Sequence, residues 1–144
     1  MIPVMKIDDF RGPYRWLSNF HMCPVMYEGE IYPSSEHAYM AAKTTDLSIR
    51  EEIKALPKPG MAKKIGRSLT LRDGWDDMRI SVMEEILRDK FTRTASLKQQ
   101  LLDTCDFELI EGNTWNDCFW GVCRGKGENN LGKLLMKLRK EFRG

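Results

Sequence analysis

Long apolar runs are missing from this sequence. None approaches the roughly 20 residues that a bilayer span requires, and the opening MIPVMKIDDF has no extended apolar segment of the secretory kind. A soluble, cytoplasmic protein without a membrane partner is therefore expected. Cysteine is sparse: Cys23, Cys105, Cys118 and Cys123 show neither the close pairs of a zinc site nor the density of a small disulfide scaffold, so free thiols are expected. Histidine is scarcer still, and His21 and His37 alone exclude a histidine-rich metal centre. No serine stands in a G-x-S-x-G turn, which leaves a Ser-His-Asp hydrolase without support. Blocks of one charge are also lacking, with 23 Lys and Arg against 21 Asp and Glu mixed along the chain. Non-specific nucleic-acid binding draws on many phosphate contacts from a basic surface and is weakly served by this balance. A phosphorylated small molecule asks for much less, a cation or two and some backbone N–H groups.

What is present is a chain of 144 residues, 42% hydrophobic, with no internal repeat, low-complexity tract or long linker. That size and content suit one compact domain over residues 1–144. In the opening third, RGPYRWLSNF and CPVMYEGEIYP place aromatic and β-branched residues between Pro and Gly, which predicts short strands and turns. Helices are predicted next: from the Pro33-Ser34-Ser35 start through Lys43, over Leu47 to Leu56, and, after the break at PKPG, over Met61 to Ser68. From Trp75 to Phe91, apolar residues Ile80, Met83, Ile86, Leu87 and Phe91 recur at helical steps. Leu97, Leu101 and Leu102 fit a further helix, FELIEG a strand, and Leu131, Leu134, Leu135, Leu138 and Phe142 one face of a closing helix. The expected class is α+β, mainly helical with a few short strands.

Two stretches carry the chemistry. In YPSSEHAYMAAK, Glu36, Tyr39, Met40 and Lys43 share one sector of a helix, with His37 at its margin and Ala38, Ala41 and Ala42 opposite. Three alanines allow a close approach to the core and leave an acid, a phenol and an amine above a common space. On spacing alone the simpler reading is stronger: a surface helix whose Glu36 complements the positive N-terminus and whose Lys43 complements the negative C-terminus. The second stretch, NTWNDCFWGVCRGKGENNLGKLL, is rich in Trp, Asn and Gly. Gly127 to Lys133 has the spacing G-x-x-x-x-G-K, but Leu134 stands where a magnesium-binding hydroxyl is required. A glycine-rich approach to a helix start can still leave N–H groups for a phosphate; equally, these glycines and asparagines can simply shape turns. Trp16, Trp75, Trp115, Trp120, Phe20 and Phe119 lie near turns, as core residues or as walls for a planar base. Lys63, Lys64 and Arg67 of MAKKIGR read first as a solvated face and second as phosphate contacts.

Six successive blocks, WLSNF, YPSSEHAYMAAK, AKKIGR, LRDGWDDMRISVMEEILRDKF, LIEGNTWNDCFWG and GKGENNLGKLLMKLR, run from about residue 10 to the C-terminus. In that order they resemble the NADAR, or YbiA-like, family. The resemblance implies a compact α+β domain with N-glycosidase activity and no cofactor or metal. Its implied substrates are phosphorylated early intermediates of riboflavin biosynthesis, or ADP-ribosylated guanine within nucleic acid. Carried over by motif, Glu36, Asp117 and Lys43 are the catalytic candidates, Lys43 as an amine that bonds to the sugar and Lys63 as its rival. Trp16, Asn19, Phe20, Tyr39, Trp75, Trp120, Gly121, Asn129 and Asn130 are the substrate-binding candidates. One departure stands out: relatives often carry G-D-G after the tryptophan, whereas this chain has Gly121-Val122-Cys123, which bears on substrate choice. The competing class is a non-catalytic module that binds ADP-ribose or a nucleotide. The glycosidase expectation requires Glu36 and Asp117 to converge on one sugar-sized hollow.

Overall fold

The structure, a computed structural model, describes residues 5–144; the first four positions of the MIPVMKIDDF reading lie outside them. Among the described residues no helix is long and apolar enough to cross a membrane. In chain order the elements are β1 (Lys6–Ile7), a 3-10 segment (Gly12–Leu17), β2 (Met22–Tyr27), β3 (Glu30–Ser34), α1 (Ser35–Ala42), α2 (Leu47–Lys54), α3 (Pro59–Ser68) and α4 (Trp75–Arg93). There follow α5 (Ala95–Asp103), β4 (Glu108–Leu109), β5 (Gly112–Asn113), β6 (Val122–Cys123) and α6 (Asn130–Arg143). The class is α+β, as expected. The chain divides into two compact units, a central one of Asn19–Arg93 and a terminal one of residues 5–18 with Thr94–Gly144.

In the central unit, β2 and β3 form an antiparallel hairpin in which Tyr27 faces Glu30. Glu28 and Gly29 both take positive φ, 45° and 84°. That is what a two-residue hairpin turn demands of its centre, and Gly29 meets it without a Cβ penalty. Alternation along β2 buries Cys23, Val25 and Tyr27, and α4 packs on this strand. The predicted helical face of α4 is present in Met83, Ile86, Leu87 and Phe91, but Ile80 is 43% exposed. Trp75 and Lys90 are buried on that helix instead. Burial pulls the Lys90 ammonium down to about 8.

Helix α1 departs most from expectation. All eight of its residues are buried, Glu36 included at 7% exposure. The surface-helix reading is therefore wrong, because α2, α3, α4 and the hairpin all pack around α1. Its N-terminus is closed by Ser34, whose Oγ accepts the His37 N–H at 3.1 Å. Ser34 Oγ and His37 Nδ1 lie 2.6 Å apart, and His37 Nε2 lies 3.0 Å from the Leu56 carbonyl. The pattern is satisfied by a neutral ring that donates from Nε2 and accepts at Nδ1, and burial holds the His37 pKa below its ordinary value. His37 is thus a structural strut, not a marginal member of a polar sector.

Helix α3 begins at Pro59 and not at Met61, because a proline in the first turn loses no intrahelical bond. Its Gly66 lies against Met40 of α1, so closely that an added Cβ would overlap the Met40 thioether.

In the terminal unit, β1 pairs with β4 in parallel, Ile7 opposite Leu109, and β5 pairs in parallel with β6. The expected FELIEG strand is split between β4 and β5. Helix α6 buries Leu131, Leu134, Leu135 and Leu138 as its spacing predicts, and it packs on β4 and α5.

Gly66→Ala should lower stability despite a gain in helix propensity of up to ~1 kcal/mol. Overpacking against Met40 costs about 1–3 kcal/mol, so the urea unfolding midpoint should fall. An unchanged or raised midpoint would show that the contact of α1 with α3 is looser than described.

Candidate active site

The buried α1 carries polar groups that must be satisfied from outside the helix. At its start, the Glu36 N–H donates to the Asn19 carbonyl at 3.0 Å. At its end, Arg50 of α2 donates from Nε to the Ala41 carbonyl at 3.1 Å and to the Thr44 carbonyl at 2.8 Å. Arg72 donates from Nη1 to the Ala42 carbonyl at 3.4 Å, and its own N–H meets the Lys43 carbonyl at 2.8 Å. Glu28, from the hairpin turn, holds both guanidinium groups, Arg50 at 3.3 Å and Arg72 at 3.5 Å. The negative end of the helix is therefore complemented by two arginines from other segments. The Lys43 side chain is freed from that duty.

Lys43 extends instead toward the face that carries Glu36 and Tyr39. Its Nζ lies 5.7 Å from the Tyr39 ring centroid, and Tyr39 tilts against Trp75 with centroids 5.3 Å apart. Burial is the first cause that lowers the Lys43 pKa; the Glu36 carboxylate opposes it, and the positive charges of Arg67, Arg79 and Lys63 add to it. Lys63 in turn lies 5.8 Å from the Phe20 ring centroid. Asn19 donates from Nδ2 to the Met83 sulfur at 3.6 Å. Its buried Oδ1 has no hydrogen-bond partner among the described residues. Within the central unit, then, Asn19, Phe20, Glu36, Tyr39, Lys43 and Trp75 are joined by a chain of contacts and charge interactions. An acid, a half-buried amine, two rings tilted against each other and three further cations make up this group, and such a group can hold an aromatic, anionic ligand and act on it.

The other candidates belong to the terminal unit. Trp16 sits, partly exposed, in the 3-10 segment. Asp117 Oδ1 accepts the N–H groups of Phe119 at 3.2 Å and Trp120 at 2.9 Å, the side-chain-to-backbone turn that Asp commonly makes. Asn113 braces the same loop, accepting the Asp117 N–H at 3.1 Å and donating to its carbonyl at 2.8 Å. Gly121 has no space for a side chain: a Cβ there would run into Glu111 and Asn113. Asn129, at a φ of 53°, donates to the Leu109 carbonyl at 2.9 Å and accepts the Glu111 N–H at 3.0 Å. Asn130 donates from its side chain to the Phe119 carbonyl at 2.9 Å. The backbone N–H groups of Glu128, Asn129, Asn130 and Leu131 meet the carbonyls of Cys118, Gly121, Phe119 and Trp120. The open helix-start amides expected from the glycine-rich approach are thus engaged by the loop itself.

Sequence reasoning missed Glu28, Arg50, Arg72 and Arg79. Arg79 had a readable signal, since Trp75, Arg79 and Met83 recur at steps of four on one face of α4. The other three had none, because the two arginines meet carbonyls and the Glu28 carboxylate, and Glu28 meets those arginines, all across distant segments.

The family model for the NADAR domain matches residues 8–143. This chain belongs to the NADAR family. It is similar to the N-glycosidase YbiA of Escherichia coli strain K12, 41% identical over 132 residues that cover 90% of this chain and 82% of that protein. An N-glycosidase of Nostoc punctiforme is 36% identical, covering 91% of this chain and 87% of its own length. A riboflavin biosynthesis protein of Vibrio vulnificus is 38% identical over 88% of this chain but only 35% of that longer protein. Among solved structures, the NMR structure of E. coli YbiA matches with a TM-score of 0.86 at 37% identity, covering 99% of this chain and 88% of that one.

In this NADAR chain the Lys43 amine should titrate below an ordinary lysine, and Glu36→Gln should lower it further by removing the charge that opposes the shift. NMR titration of the Lys43 side chain checks both directions. An upward move in Glu36→Gln would show that the two groups do not interact as described.

Proposed function

We propose that this NADAR chain is an N-glycosidase that hydrolyses the base–ribose C–N bond of a phosphorylated ribosylated base, with Glu36 and Lys43 as its catalytic groups. Two relatives are named for N-glycosidase activity and a third for riboflavin biosynthesis. An early riboflavin-pathway ribosylamine and ADP-ribosylated guanine are the two substrate types this reading covers, since each is cleaved at the anomeric carbon of a ribose. The single observation that carries the proposal is a carboxylate and a desolvated amine on one buried helix, beside the Tyr39–Trp75 ring pair.

Cleavage builds positive charge on C1 and the ring oxygen and negative charge on the departing base. Glu36, seven residues before Lys43 and on the same side of α1, is suited to stabilise the first through space. Lys43 needs its neutral form to act as a nucleophile, and burial with neighbouring cations raises the neutral fraction. The amine adds to C1 while the bonding pair leaves with the base, which takes up a proton. Loss of a proton from nitrogen and opening of the sugar ring give an imine at Lys43. Water adds to that imine and releases the sugar, restoring the amine. The Tyr39–Trp75 pair supplies a wall for the base, where a stacked contact contributes about 1–3 kcal/mol.

Purified protein is to be incubated with a phosphorylated riboflavin-pathway ribosylamine and, separately, with ADP-ribosylated guanine, and free base measured by chromatography. Wild type should release base from at least one of them. Glu36→Gln should cut the rate by ~100-fold or more while the circular dichroism spectrum stays unchanged, and Lys43→Arg should fail as well, because a guanidinium stays charged. Ligand retained with no base released would mark a binding module instead; near-normal turnover in Glu36→Gln would remove Glu36 from the mechanism.

A further inference from the structure

Three cations gather next to the Glu36–Lys43 pair, and the bond-breaking steps above do not use them. Lys63 and Arg67 are four residues apart on α3 and so share a face of that helix. Gly66, between them, lies against Met40, which sets this stretch of α3 on α1. Lys63 also lies 5.8 Å from the Phe20 ring centroid. Arg79 follows Trp75 by one helical repeat on α4, and Trp75 meets Tyr39, whose ring lies 5.7 Å from the Lys43 Nζ. Helices α3 and α4 thus bring three cations within electrostatic reach of the Lys43 amine at the end of α1. The groups acting most strongly on the Lys43 amine are one carboxylate and these three cations.

Like charges held around a partly buried amine repel one another, and the repulsion grows as water is excluded. An anion bound among them offsets that cost. The side chains also match the geometry of a phosphate: planar guanidinium forks that bind two oxygens at once, and a compact ammonium that acts as a point charge. We propose that Lys63, Arg67 and Arg79 form a subsite that binds the phosphate of the substrate beside the Glu36–Lys43 pair. The subsite rests on the glycosidase reading for its role in turnover, but its anion binding stands or falls separately. It moves phosphate recognition from the asparagine-rich loop before α6 to the central unit. Bound phosphate offsets the cationic contribution to the low Lys43 pKa, whereas burial, the larger cause, persists.

The test measures binding of orthophosphate and of pyrophosphate by calorimetry at fixed ionic strength. Wild type, Lys63→Gln, Arg67→Gln, the Lys63→Gln/Arg67→Gln double variant and Lys64→Gln are compared. Lys64 is an exposed neighbour on the same helix and controls for general loss of charge. Affinity should fall at least ~10-fold in the double variant and stay within about twofold in Lys64→Gln. Stronger binding of orthophosphate would indicate a terminal phosphate monoester, and stronger binding of pyrophosphate a diphosphate bridge. Because Arg79 is partly buried, the test varies only the exposed Arg67 and the half-buried Lys63 of α3 and leaves α4 intact. Glu36→Gln should still bind the anion, so loss of turnover and loss of the subsite are told apart. An equal loss in Lys64→Gln, or no binding by wild type at millimolar anion, would overturn the proposal.

Discussion

The complete burial of α1 is the constraint on which the site depends. A short helix with a glutamate, a histidine and a tyrosine is costly to bury unless its polar groups find partners. The structure meets that demand for the helix ends and for His37, through Ser34 and the Asn19 carbonyl at the start and Arg50, Arg72 and Glu28 at the finish, while the buried Ser35 Oγ has no hydrogen-bond partner among the described residues. Arg50 is buried while Glu28 is about half exposed, so the cost of losing Arg50 falls mainly on the Ala41 and Thr44 carbonyls it would leave unpaired. The clamp therefore fixes the backbone at Lys43 and leaves the lysine side chain to face Glu36 and Tyr39. Packing against α3 through Gly66 and Met40 then sets how closely the cations of α3 approach that amine.

The site has an electrostatic logic that follows from this arrangement. A lysine near water is charged and inert as a nucleophile; the same group, half-buried among cations, gives up its proton more readily. Glu36 pulls the other way, so the carboxylate is balanced against desolvation and against Lys63, Arg67 and Arg79. In the glycosidase reading proposed above, Glu36 supplies negative charge to the sugar and the three cations supply positive charge to the phosphate. The terminal unit contributes a different kind of order: Asp117, Asn113 and Asn129 spend their side chains on backbone groups and so fix a glycine-rich loop that would otherwise have many conformations.

How much of this was legible in the sequence depended on how local the cause was. The short strands and turns of CPVMYEGEIYP, the helix start at Pro33-Ser34-Ser35 and the apolar stripe of α6 are written within a few residues of where they act, and each reads directly. The sharing of one helical sector by Glu36, Tyr39 and Lys43 is equally local. Which side of α1 faces solvent was not, because helices packing around it come from up to fifty residues away; charge at both ends suggested a surface helix where a core helix exists. Ile80 fitted a periodic pattern but lies on the outside of α4, while Lys90, which broke that pattern, is buried. Arg50 and Arg72 could not be read at all, since a carbonyl acceptor leaves no mark in a sequence. The six ordered blocks carried the family, and the NADAR match over residues 8–143 agrees with them.

The most direct measurement is borohydride reduction during turnover, followed by peptide mass mapping. Only an imine between protein and sugar yields a stable adduct, and the desolvated amine on α1 is where it should form. The account predicts a sugar adduct on the peptide carrying Lys43, absent from Lys43→Arg. An adduct mapped to Lys63, or base release with no adduct at any lysine, would contradict it.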